Sequence, residues 1–406
     1  MTNQRRLSRM LDPVMRGLLV TILLWGAGAG VLRAFAVPPE RCPAVTADEA
    51  MAAALAAAGW ITRSQGADGS YVYEYNVAKD ANVPGYNEVR HAGVTMSLYQ
   101  LAAAGQPGFL KAADTGLGRM IANLAFFDDR AILKEPGGQT YKTGSSALML
   151  AGLAQRRIAT DDREYDELMR QLGRFLVSMQ EPVGAILAAW DPSTRAPVPG
   201  ERSKYYTGET FWALALLERV LPGEGWDVPA LAAADYLALH RDEAEGLDYP
   251  PWADQWAAYG LAEVAAWPGP PRLRAAHVEY ARSLAGRFGL LVRVESRRTN
   301  SDFSRLVRGP MARAAGMGTW GEGLGSLWTL ASTDPRIADL RGPIGDRAVC
   351  TAGMLVARQY ESDDEAGAAG ADGAWFRDSL TRMDDQQHAI SALLLAATIL
   401  DERGEH

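Results

Sequence analysis

Beyond Pro39, apolar residues recur at helical spacing along nearly the whole chain, and Gly, Pro and Asp mark the breaks. Strand-like alternation is almost absent. The pattern predicts twelve helices, near 46–64, 88–104, 108–126, 143–158, 161–180, 206–220, 228–241, 252–267, 271–288, 310–331, 343–361 and 384–401. Short and long connections alternate between them, so the helices fall into six pairs. The second helix of each pair begins near residues 88, 143, 206, 252, 318 and 384, a loose repeat of about 45 to 70 residues.

The two members of a pair differ in character. "TGSSALMLAGLA", "TGETFWALALLE" and "ISALLLAATIL" are apolar or small almost all round, as befits helices buried on every side. First members such as "DDREYDELMRQLGRFLVSMQ" keep one charged face. An inner ring of apolar helices wrapped by an outer amphipathic ring is an all-α (α/α)6 toroid of six helical hairpins, and residues 40–406 are expected to form it as one domain.

The N-terminus breaks this pattern. Arg5, Arg6, Arg9 and Arg16 precede "GLLVTILLWGAGAGVL", 16 residues without a charge, and "RAFAVPPE" follows with Ala34 and Ala36 in an A-x-A arrangement. Residues 1–36 therefore read as a secretory signal peptide or, if uncleaved, as a membrane anchor with its positive end in the cytoplasm. Either way the rest of the chain is expected to be exported, periplasmic or membrane-anchored and facing outward.

Composition adds exclusions. The chain is 48% apolar and 22% charged, which rules out a disordered protein. A net charge of −8 with no long basic run gives no reason to expect a nucleic-acid partner. Cys42 and Cys350 are the only cysteines. They cannot build a disulfide framework, and no Cys/His spacing suits zinc. They are read as unpaired thiols, with one bridge between them as the alternative, and neither a metal nor a cofactor is expected.

"LAAAGWITRSQGADGSYVY" resembles the Q-x-x-D-G-S-aromatic repeat of α/α-toroid proteins, including terpenoid cyclases and six-hairpin families, through Gln65, Asp68, Gly69, Ser70 and Tyr71. Fainter copies occur at Gln180 and at Asp372-Gly373. The succession "KYYTGETFWALALLERV" and "YPPWADQWAAYGLAEV" is similar to carbohydrate-active members of the six-hairpin glycosidase-like superfamily. The resemblance implies a toroid and suggests a carbohydrate polymer or oligosaccharide as partner.

In a closed ring all inner helices start at one end, so their first turns and preceding loops surround one funnel. The residues expected there are Tyr71, Tyr73, Tyr75, Asn87, Arg90 and His91; Tyr141 and Lys142; Lys204, Tyr205, Tyr206 and Glu209; Tyr249, Trp252, Asp254 and Trp256; Arg313, Trp320 and Glu322; and Trp375, Arg377, Arg382, Asp384, Asp385 and His388. Capping accounts for an Asp at a helix start, but Arg90 beside His91 opposes the helix dipole and reads as ligand-directed. The aromatic residues suit stacking on sugar rings. Trp212 and Trp328, further along their helices, are assigned to the core.

Glycosidic hydrolysis needs two opposed carboxyl groups, one protonated. Asp254, between Trp252 and Trp256, is the expected acid, with Glu322 or Asp384 as its partner. A second chemistry fits Tyr86, Asn87, Arg90 and His91: lyases and epimerases of uronic acids neutralise a sugar carboxylate and move the adjacent proton, and His91 would share in that transfer. This set resembles the sites of toroidal polysaccharide lyases in residue types. A third reading is a non-catalytic factor that binds a glycan or assists polymer assembly. Terpenoid cyclisation fits poorly, because "RMDDQQH" carries Arg382 where the D-x-D-D motif begins with Asp.

Overall fold

The structure is a computed structural model that describes residues 3–35, 39–247, 252–361 and 369–405. Ala36 and Tyr249, both singled out above, lie outside the described residues. In chain order the helices are α1 (Asn3–Phe35), α2 (Ala47–Arg63), α3 (Glu88–Ala103), α4 (Leu110–Ala122), α5 (Thr143–Thr160), α6 (Asp166–Ser178), α7 (Tyr206–Val220) and α8 (Asp227–Leu239). They continue with α9 (Arg241–Ala244), α10 (Gln255–Ala265), α11 (Ala275–Glu295), α12 (Asp302–Arg308), α13 (Ala314–Thr333), α14 (Arg341–Val356) and α15 (Met383–Arg403). Each of the twelve expected helices has its counterpart here.

The chain forms two compact units, residues 42–292 with 312–406 and residues 1–41 with 293–311. In the larger unit α3, α5, α7, α10, α13 and α15 each pack on the next, and α15 returns to α3. The inner ring is closed. Consequently α7 stands opposite α15, α3 opposite α10 and α5 opposite α13. These helices are apolar on almost every face because each has neighbours on both sides and an outer helix behind; Leu214, Leu324 and Leu393 are fully buried. Outer helices such as α6 keep one charged face, with Met169, Leu172, Phe175 and Leu176 turned inward. Trp212 and Trp328 are in the core.

The Q-x-x-D-G resemblance has a mechanical meaning. Gln65 Nε2 donates to the carbonyls of Gly69 (3.5 Å) and of Ala112 on α4 (3.0 Å). Gln180 Nε2 donates to Gly184 (3.3 Å) and to Pro229 on α8 (2.9 Å). Gln359 Nε2 donates to Gly373 (2.9 Å) and to Ala53 on α2 (2.8 Å). In all three copies the glycine has positive φ, and a Cβ there would collide with the carbonyl three residues further along the same neighbouring helix, at Thr115, Ala232 and Ala56. Only glycine fits. The motif therefore rivets α2 to α4, α6 to α8 and α14 to α2.

Two features go beyond the sequence reading. Among the described residues there are eight short strands: β1 (Glu74–Asn76), β2 (Ala81–Val83), β3 (Leu124–Phe127), β4 (Arg130–Leu133), β5 (Tyr141–Lys142), β6 (Ala189–Asp191), β7 (Ala196–Pro197) and β8 (Leu380–Arg382). They form antiparallel sheets ordered β2-β1-β8, β3-β4 and β5-β6-β7 in the long connections, and β1 paired with β8 joins the loops ahead of α3 and α15. At two to four residues each, they are too short to leave a period-2 signature. Cys42 and Cys350 are joined as a disulfide, which ties the chain ahead of α2 to the buried middle of α14.

In the smaller unit, Pro13–Arg33 of α1 is, among the described residues, the one stretch long and apolar enough to cross a membrane; its mean hydropathy is 1.7 and none of it is buried.

Candidate active site

At the N-terminal end of the inner ring lies a cavity of about 520 Å³. Eight of the sequence-predicted residues line it: Arg90, Glu209, Trp256, Trp320, Asp384 and His388 on the inner helices, with Tyr205 and Trp252 just ahead of α7 and α10. They involve five of the six inner helices. Gln255, Thr319 and Gln387 complete its polar wall. Sequence reasoning missed Gln255, Thr319 and Gln387, although Gln387 follows Asp384 by three residues and so shares its helix face.

Glu209 sits in the first turn of α7 and is almost completely buried. Gly144 of α5 leaves the space that Glu209 Oε2 and the Tyr206 ring occupy. That oxygen accepts no hydrogen bond from any described residue. Desolvation, then the negative charge of Asp254, pushes the Glu209 pKa up to about 8. A carboxyl group in this state is a proton donor at neutral pH.

Across the ring, α15 supplies Asp384, Gln387 and His388. His388 Nδ1 lies 2.7 Å from Glu322 Oε2 on α13. Burial alone would lower the His388 pKa, but the Glu322 charge and hydrogen bond, with Asp384 and Asp385 beyond, raise it above the ordinary value. Glu322 itself is raised, chiefly by burial, with His388 opposing. Because Nδ1–H donates to the carboxylate, Nε2 is the basic nitrogen, and no described residue occupies it. The His388 ring also lies 5.8 Å from that of Trp256, which stacks on Trp212 at 5.5 Å.

Arg90 Nε stands 3.5 Å from Asp384 Oδ1, and its guanidinium lies over the Tyr73 ring at 5.4 Å from the centroid. Asp384 does not cap its helix. Asp385 does, accepting from Arg382 N–H at 3.0 Å and from Ala315 N–H at 3.0 Å while pairing with Arg313 at 2.9 Å. Lys204 Nζ lies 4.1 Å from the Trp252 ring centroid at the cavity wall.

Other expected site residues lie elsewhere. Asp254 does not line the cavity. It caps α10, accepting from Trp256 and Ala257 N–H at 3.0 and 3.2 Å, and its carboxylate pairs with the fully buried Arg241. The apolar setting expected of a catalytic acid is thus filled by a guanidinium, and the expectation for Asp254 is corrected. His91 is likewise corrected. It is fully buried, its Nε2–H donates to the Gly116 carbonyl of α4 at 2.9 Å, and Nδ1 accepts from the Tyr86 hydroxyl at 2.7 Å. Burial lowers its pKa to about 4 and keeps it neutral.

Asn87 caps α3 by accepting from Arg90 N–H at 3.1 Å, and Tyr71 is buried with its hydroxyl on Thr95. Lys142 pairs with Glu135 at 3.1 Å. Tyr206 packs beside Gly144, and Arg382 ends β8 at the N-cap position of α15. Glu322 stands behind His388 rather than in the cavity wall. Among the described residues no group of three or more His, Cys, Asp or Glu could hold a metal ion.

No family model matches the sequence, and no curated protein matches it. Solved structures do. The fold is similar to that of a cellobiose 2-epimerase from Spirochaeta thermophila, with a TM-score of 0.61, 14% identity, and coverage of 88% of this chain and 97% of that one. It is also similar to a glycoside hydrolase family 76 mannosidase from Bacteroides thetaiotaomicron, with a TM-score of 0.56, 12% identity, and coverage of 89% and 99%. A D-mannose isomerase gives 0.56, 11%, 87% and 96%. These likenesses show the fold alone: the chain is an (α/α)6 toroid.

Proposed function

We propose that this protein is an exported carbohydrate-active enzyme that hydrolyses a glycosidic bond in the cavity by general acid–base catalysis. The observation that carries this reading is Glu209, a buried carboxyl group with an unpartnered oxygen whose pKa of about 8 keeps it protonated at neutral pH. It donates its proton to the leaving oxygen. Asp384, on α15 opposite Glu209's α7 and paired with Arg90 of the neighbouring α3, activates the attacking water. The partly exposed Trp252 and Trp320 supply flat apolar faces for sugar rings. The similarity in fold to a mannosidase supports the same substrate class. Export is supported by the unburied apolar stretch of α1 and by the Cys42–Cys350 disulfide, since disulfides persist in oxidising compartments.

A second reading, epimerisation or isomerisation of a sugar, is favoured by the His388–Glu322 pair, a histidine base with Nε2 free for a substrate proton. The uronic-acid lyase reading loses support, because Asn87 and His91 are occupied in the fold. Incubating the purified protein with neutral and uronic oligosaccharides separates these readings. New reducing ends are expected. Isomers of the substrate that carry deuterium from the solvent would instead establish epimerisation, and binding without any product would make this a glycan-binding protein.

A further inference from the structure

We propose that segment 293–311 of the smaller unit is a second membrane contact, a short amphipathic helix that lies in the surface of an anionic bilayer beside the outer end of α1. The helix α12 carries Phe303, Leu306 and Val307 at spacing i, i+3, i+4, hence on one face. All three are exposed, at 61%, 85% and 44%. A soluble surface tolerates scattered apolar residues, but three adjoining ones on a well-built helix mark a contact.

The segment is well built. Ser301 caps α12 by accepting from Ser304 N–H at 3.2 Å, and Ser304 Oγ accepts from Thr299 N–H at 2.9 Å. Arg298 clamps its two ends, donating to the Arg308 carbonyl at 2.7 Å and pairing with Glu295 at 2.8 Å. The apolar face is therefore presented by fixed bonds.

What covers it follows from its neighbours in the same unit. Arg293 pairs with Glu40 at 3.2 Å, Arg297 donates to the Pro39 carbonyl at 2.7 Å, and Ala29, Leu32 and Arg33 line a cavity together with Pro39, Glu40 and Arg293. The segment thus adjoins the C-terminal end of the span Pro13–Arg33, where a bilayer surface would be. Arg41, Arg297 and Arg308 gather there, and the Arg297 pKa is lowered by desolvation and then by the other two cations. Apolar side chains flanked by arginines suit an interface with anionic headgroups.

The inference rests on α1 remaining in a bilayer, and the test reads that separately. The full chain would be placed in phosphatidylglycerol-containing vesicles with an environment-sensitive fluorophore attached at Leu306→Cys, at Leu24→Cys in α1, or at Val228→Cys, an exposed site in the larger unit. Lipid-borne quenchers are expected to quench the labels at 306 and 24 about threefold or more and to leave the label at 228 unchanged. Quenching at 24 with 306 behaving like 228 would overturn the surface contact while leaving the anchor in place. Quenching at neither 24 nor 306 would overturn both. Shielding at 306 that grows with the protein-to-lipid ratio would assign the face to a second copy of the chain and also overturn the proposal.

Discussion

His388 Nδ1 and Glu322 Oε2 meet at 2.7 Å across the α13–α15 contact, with the histidine in the cavity wall and the glutamate fully buried behind it. The carboxylate opposes the lowering of the histidine pKa by burial and fixes the tautomer that turns a basic Nε2 to the cavity. If His388 takes a proton from substrate or water, activity requires its neutral form and falls as pH drops through its pKa. Replacing Glu322 with Gln removes the largest raising influence, so the acidic limb of kcat/KM against pH should move to lower pH while the maximum falls about tenfold or more. A purely structural Glu322 would lower the melting temperature and leave the limb in place.

Glu209 should govern the alkaline limb. A proton donor with a pKa of about 8 fails as pH rises through that value, so kcat/KM should decline above about pH 8. Glu209→Gln should lose about 10²- to 10⁴-fold in rate and lose that limb. Stability carries the same sign. The folded pKa lies above that of an unfolded glutamate, so the contribution is complete below about pH 4.5 and is lost as pH rises towards 8. Melting curves of Glu209→Gln should therefore depend less on pH across that window, and an unchanged pH dependence of both rate and melting would exclude Glu209 as the acid.

The ring was legible because inner helices need apolar residues on all faces, and that demand is written directly into segments such as "TGSSALMLAGLA". The funnel end was legible too, since Arg90, Glu209 and Asp384 open segments whose middles are mainly apolar. What a one-dimensional reading could not supply was rotation about each helix axis. Adjacent helical residues point about 100° apart. Arg90 therefore reaches the cavity while His91 turns to Gly116 of α4, and Asp384 faces the cavity while Asp385 turns to Arg313. For Asp254 the missing information was Arg241, thirteen residues earlier on a short helix with no distinctive pattern.

That rotation gives His91 a different expected behaviour from His388. Substituting Asn for His91 should leave the Gly116 carbonyl and the Tyr86 hydroxyl without their partner, a cost of about 1–3 kcal/mol in stability. Catalysis by the folded fraction should be nearly unchanged. Because the folded pKa of about 4 lies below the ordinary histidine value, the native protein should also lose stability as pH falls from about 6.5 towards 4, and the Asn variant should lose less. Thermal melts at pH 7 and pH 5, set beside an activity assay, check both points. A stable variant with abolished turnover would return His91 to the site.

The three glutamine–glycine rivets make the most direct test of the architecture, and Gly184 is the cleanest of them. Its φ of 95° is a region that residues with a Cβ rarely adopt, and the missing Cβ is where the Ala232 carbonyl of α8 packs. Alanine there must either strain the backbone, at about 1–3 kcal/mol, or push α8 away and break the Gln180 bond to Pro229. Gly223 also has positive φ, at 77°, but faces open space, so Gly223→Ala bears the strain without the collision. Equilibrium unfolding should find Gly184→Ala the less stable by more than about 1 kcal/mol. Gln180→Ala combined with Gly184→Ala should cost less than the sum of the two single changes, because both remove one α6–α8 contact. Equal effects of Gly184→Ala and Gly223→Ala would mean that the glycine serves only its own turn and that the α6–α8 rivet contributes nothing measurable to the ring.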